Sequence, residues 1–159
     1  MGLDINTPKG QQSLEQERRL LKSFGTVMGC TIIETDKAEP AQVDGFLVKD
    51  STVIGVFESK CRRATVRQMQ NWGSEWLLTN QKFMDGADIS RRLCVPFYGI
   101  IYLVDEPIGV YIKLTDNTGK LLPKVRVQET ETQATINGGT VVRANAFIDL
   151  ETSYTFSII

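Results

Sequence analysis

The stretch from Val43 to Lys60, VDGFLVKDSTVIGVFESK, leaves little freedom to the fold around it. Two apolar runs flank Asp50-Ser51, which predicts adjacent strands over 41–49 and 52–60 joined by a tight turn. Acids bracket the pair: Asp44 opens the first run, and Glu58-Ser59-Lys60 closes the second. Strand side chains alternate, so Glu58 and Lys60 share one face. Two carboxylates and a lysine on neighbouring strands form the minimum set for metal-assisted cleavage of a phosphodiester. The plainer alternative for the tripeptide is a salt-bridging pair at a strand end.

Composition removes most rival chemistries. The chain has 159 residues, enough for one domain with a real core, and its 42% apolar and 23% charged content fits a soluble globular protein. It contains no histidine. That excludes Ser-His-Asp and Cys-His nucleophile systems and any histidine base or zinc ligand. Catalysis would have to run on carboxylates, lysine and a hard, oxygen-bound metal. Cys30, Cys61 and Cys94 have no metal-ligand spacing and read as reduced thiols in a cytosolic core. No apolar run approaches the roughly 18 residues of a membrane span, and MGLDINTPKG lacks the pattern of a signal peptide. The expected location is the cytoplasm, with no membrane partner. The net charge of −1 announces no nucleic-acid partner; only a local basic cluster can do so.

Residues 11–24, QQSLEQERRLLKSF, read as an amphipathic helix, with Ser13 and Gln16 available as a capping box. A strand over 26–35 follows, then a polar loop ending at Pro40. A second helix is expected over 64–79, where Val66, Met69, Trp72, Trp76 and Leu77 recur at helical spacing. Residues 86–93 read as a short helix or loop. Beyond Pro96 the pattern is β, over 97–104, 108–115, 124–136 and 140–149, with turn signals at Asp116-Asn117-Thr118-Gly119 and Asn137-Gly138-Gly139. The order is helix, three strands, helix, strand and a β-rich tail.

Three further groups bear on the acid pair. Glu17 falls near the centre of the apolar arc formed by Leu14, Leu20, Leu21 and Phe24 on the first helix. A carboxylate there is costly unless it is paired or near a metal. It is either a third acid reaching the metal, directly or through water, or a stem crossing the core edge with its head in solvent. The main-chain carbonyl of Ser59 is a further candidate metal ligand. Gln68, four residues before Trp72 on the expected second helix, can project over the site or remain solvated. Arg62, Arg63 and Arg67 form the densest basic patch, suited either to a phosphate backbone or to a solvated helix start.

These residues resemble the motifs of the PD-(D/E)XK nuclease superfamily, whose restriction-endonuclease-like core runs helix, three strands, helix, strand. The resemblance covers about 11–105 and leaves a β-rich extension over about 106–159, within one domain. It implies an α/β fold in which Glu17 matches the first-helix acid, Asp44 the strand acid, and Glu58 with Lys60 the catalytic pair. Gln68 in RQMQNW resembles the helix glutamine of the RecB-like and phage-exonuclease branches, with Trp72 where tyrosine is usual. Val43 replaces the proline that commonly precedes the aspartate, which leaves the metal ligand intact.

The implied activity is a compact, phage-like, Mg²⁺-dependent (or Mn²⁺-dependent) deoxyribonuclease acting on DNA. Asp44, Glu58 and the Ser59 carbonyl would bind metal, Glu17 would assist and Lys60 would position the attacking water. The alternative is a nuclease-like fold used as a catalytically silent binding or assembly module. The alternating run at Val125, Arg126 and Val127 would then suit a homo-oligomer built through the C-terminal β region.

Overall fold

The computed structural model describes residues 7–36, 41–135 and 138–159, and their arrangement is α/β. Helix α1 (Pro8–Met28) starts where Thr7 accepts a hydrogen bond from the Gly10 N–H and Pro8 supplies a helix-ready φ. It stops at Gly29, whose φ of 62° is left-handed. The helix thus runs into the span read as strand 26–35, and strand β1 is only Thr31–Glu34.

Strands β2 (Gly45–Lys49) and β3 (Thr52–Arg62) form the expected hairpin, with Asp50 and Ser51 both at positive φ. That is the turn geometry whose twist matches paired strands. β3 is the hub: it pairs antiparallel with β2 and parallel with β5 (Phe97–Leu103).

The connection between these parallel strands differs from the single helix expected over 64–79. The chain forms a short helix α2 (Val66–Asn71), turns at Gly73 and Ser74, and enters strand β4 (Glu75–Thr79). Helix α3 (Asn80–Leu93) then completes the crossover. Trp76 and Leu78 alternate inward along β4, a strand period that overrides the helical spacing. Residues 86–93 are the second half of α3.

The tail does not stand apart. β6 (Ile108–Thr115) and β9 (Tyr154–Ser157) extend the first sheet, giving the order β1-β2-β3-β5-β6-β9. β7 (Val125–Thr135) and β8 (Gly138–Asp149) join β4 in a second sheet, ordered β4-β8-β7. Of the two turns expected in the tail, the first is present: Thr118 and Lys120 donate main-chain N–H bonds to Asp116 Oδ1. Asn137, in the second, lies outside the described residues, as does Pro40.

The six-stranded sheet has a core on each face. Leu20, Leu21 and Phe24 of α1 bury against Phe57, Ile100 and Tyr102. On the other side Val56, Phe97 and Ile101 pack with Trp76, Leu78 and Ile148, under the second sheet and α3. The thiols divide differently from expectation. Cys30 and Cys61 are half-buried, whereas Cys94 is exposed because it caps α3 in a left-handed conformation.

Candidate metal and phosphate site

Asp44 is held by its main chain before its side chain does anything. Its N–H donates to the Phe57 carbonyl, and its carbonyl accepts from the Thr35 N–H and, at 3.0 Å, from the Thr35 hydroxyl. β2 thus begins beside β3 one residue after Asp44. Past that point the Asp44 carboxylate takes over from the ladder: Oδ2 accepts the Ser59 N–H at 2.8 Å. A side chain caps the strand where main-chain pairing ends, and this fixes the carboxylate against β3.

Ser59 faces α1, and its hydroxyl links two acids. It lies 2.9 Å from Glu17 Oε1 and 3.4 Å from Asp44 Oδ2. Glu17 is half-buried while Glu15, Arg18, Arg19 and Lys22 are exposed, as its place on the helix predicted. Within a strand a residue's N–H and C=O point to the same side. The Ser59 carbonyl is therefore directed toward the side where Asp44 stands.

Glu58 and Lys60 project to the opposite face. Glu58 is 3% exposed and sits opposite Gly99 on β5. A Cβ at residue 99 would lie 2.2 Å from Trp76 Cζ3. Glycine there lets the indole lie on the sheet beside the strand pair that carries Glu58. Lys60 keeps an exposed edge but is densely surrounded. Burial first, then the charges of Arg62 and Arg143, lower its pKa from 10.5 to about 8, with Glu58 and Asp44 opposing them.

The side chain that joins the two acids is one the sequence reading did not single out. Lys82, in the first turn of α3, places Nζ 3.8 Å from Asp44 Oδ1 and 3.7 Å from Glu58 Oε1. A cation in a helix's first turn opposes the helix dipole. Here two carboxylates offset that cost. The available signal was Gly73-Ser74 followed by alternation over 75–79. It would have ended the earlier helix and put Lys82 at the start of the next one.

Gln68 does not reach over the acids. Its Oε1 accepts the Thr65 N–H at 2.9 Å, while the Thr65 hydroxyl accepts the Gln68 N–H. This is a capping box, and it holds the glutamine at the exposed start of α2. Arg63 and Arg67 are exposed there as well. Arg62 differs from both: Nη2 donates to the Leu77 carbonyl on β4, and the buried Nε has no partner among the described residues.

Among the described residues no three His, Cys, Asp or Glu side chains converge as a ligand set. The donors available to a metal are two carboxylates, Asp44 and Glu58, and the Ser59 carbonyl, with Glu17 held behind Ser59. Hard oxygen donors of this kind fit Mg²⁺ or Mn²⁺, which bind through one or two carboxylates and keep several waters. The Lys82 ammonium marks where the field of the two acids favours a cation. Compared with family models, with curated proteins and with solved structures, the chain matches none.

Proposed function

We propose that the chain is a restriction-endonuclease-like, metal-dependent deoxyribonuclease that hydrolyses DNA phosphodiester bonds, with Asp44 and Glu58 as its Mg²⁺ or Mn²⁺ ligands. One observation carries this reading: the two acids approach a single cationic group, and Lys60 follows Glu58 on the same strand face. The order of α1, the β1-β2-β3 meander and the parallel β3–β5 pair supports the nuclease-like core.

A divalent cation bound by the acids supplies Lewis-acid stabilisation of charge on a phosphoryl oxygen. The protein's part is positioning. The Ser59 N–H holds Asp44, and the Ser59 hydroxyl holds Glu17. Lys60, with its pKa brought to about 8, can orient the attacking water and accept or return its proton near neutral pH.

A second reading rests on Lys82. Its ammonium already stands within ion-pair distance of both acids, as it would in a silent binding or assembly module. Thermal melting separates the two: a nuclease should melt higher with Mn²⁺ than with EDTA, and should cut linear, circular or branched DNA. No shift and no cleavage would favour the module.

A further inference from the structure

Lys82 sits between the two acids without being bound tightly to either. Its Nζ is 3.7 Å from Glu58 Oε1 and 3.8 Å from Asp44 Oδ1. A charge-assisted hydrogen bond is shorter, at about 2.8 Å. The ammonium therefore faces both carboxylates across a gap. Its side chain is 31% exposed against 3% for Glu58, so it is the member of the pair that solvent, and an anion, can reach. Lys60 has no such place: among the described residues no ion pair joins it to Asp44 or Glu58. Two carboxylates and one ammonium make a cluster of net negative charge, which draws a cation. A dication on the acids makes the same cluster net positive, and it then draws an anion. The start of α3 adds to this, because the helix dipole works against an ammonium in the first turn. The acids offset that cost while they face Lys82. Once they hold a dication, an anion at Lys82 offsets it instead.

We infer that Lys82 is a metal-released phosphate contact: without a divalent cation its ammonium faces Asp44 and Glu58, and once the cation takes the acids it turns to a phosphate oxygen. The inference rests on the nuclease reading for its biological ligand, the scissile phosphodiester. Binding is then ordered, with the metal first and the phosphate second. Lysine suits the part, since its ammonium is a compact point charge on a flexible four-carbon stem and can change partners by rotation alone. Lys82 thus competes with the metal for the acids and cooperates with it in holding phosphate.

The test reads binding rather than cleavage. Calorimetry gives the Mn²⁺ affinity, and then the affinity for thymidine 5′-monophosphate in saturating Mn²⁺, with thymidine as the control for the base. Lys82→Met should bind Mn²⁺ about tenfold more tightly and the nucleotide about tenfold more weakly, the scale of one hydrogen bond to a charged group. Lys82→Gln repeats the measurement with a polar side chain, and circular dichroism establishes that each variant is folded. Lys82→Arg keeps a cation on α3 and should return both affinities toward the wild type. The opposed signs are the signature, because a lysine that only supports the fold would weaken both on removal. Opposed signs in a protein that cuts no DNA keep the role of Lys82, assign the site to a small phosphate compound and remove the nuclease. Any other pair of signs in Lys82→Met and Lys82→Gln, or thymidine binding as tightly as its monophosphate, overturns the proposal; where the wild type still cuts DNA, the nuclease stands. A wild type that binds no Mn²⁺ overturns both.

Discussion

Lys82 Nζ stands 3.7 Å from Glu58 Oε1, bringing the first turn of α3 onto a carboxylate that is 3% exposed within β3. The same ammonium is 3.8 Å from Asp44. Two strands and a crossover helix are therefore tied at one charge cluster.

Removing that ammonium should uncover the acids. Lys82→Met is expected to lower metal-free stability by about 1–3 kcal/mol, because a buried carboxylate loses a counter-charge. Mn²⁺ should then raise the melting temperature more in the variant than in the wild type, since no ammonium competes for the oxygens. Urea denaturation in EDTA and melting in Mn²⁺ measure both effects. A variant as stable as the wild type without metal would contradict the pairing.

Lys60 should leave a signature in the pH dependence of stability. Its folded pKa is about 8 against 10.5 for the ordinary group, so the fold favours the neutral amine. Below about 8 the charged form works against folding. Between about 8 and 10.5 the unfolded chain binds more protons, so stability rises with pH across that window. Lys60→Met lacks the contribution. The difference in urea midpoint between wild type and variant should therefore move in the wild type's favour from about pH 8 to about pH 10. A constant difference would show that Lys60 titrates normally.

Ser59→Ala removes the hydroxyl between Glu17 and Asp44 but keeps the main-chain bond to Asp44. The expected cost is about 1 kcal/mol, that of one hydrogen bond. Asp44 should stay in place, so Mn²⁺ affinity measured by calorimetry should fall only a few-fold. A complete loss of metal binding would mean that Glu17 is a direct ligand.

Gly99→Ala tests the floor of the site. Its methyl would fall 2.2 Å from Trp76 Cζ3, and the indole cannot yield without disturbing the core. The expected loss is about 1–3 kcal/mol in a thermal or chemical melt. An unchanged melt would show that Trp76 does not rest on the sheet there.

The parts of this arrangement that were legible in the sequence are local ones. The Asp50-Ser51 turn sets the β2–β3 register, and alternation along β3 separates Ser59 from Glu58 and Lys60. The 3.6-residue period turns Glu17 inward. What was not legible came from competition between local signals and long-range pairing. Trp72, Trp76 and Leu77 fit a helical stripe, yet β8 offers residues 75–79 a strand partner about seventy positions away, and pairing prevails. Missing that strand displaced the crossover helix, and with it Lys82. Gln68 was misplaced for a related reason. In a helix of six residues its side chain serves the N-terminus, where Thr65 completes the box.

In the proposed function, Asp44 and Glu58 hold a catalytic divalent cation. The most direct measurement of this is cleavage of DNA in Mn²⁺ by wild type and Glu58→Gln, with matching circular dichroism spectra and melts to establish that both are folded. Metal-dependent cutting is expected of the wild type, with a loss of at least about a hundredfold in the variant, in line with removal of a group that stabilises transition-state charge. Equal cutting by Glu58→Gln would contradict it.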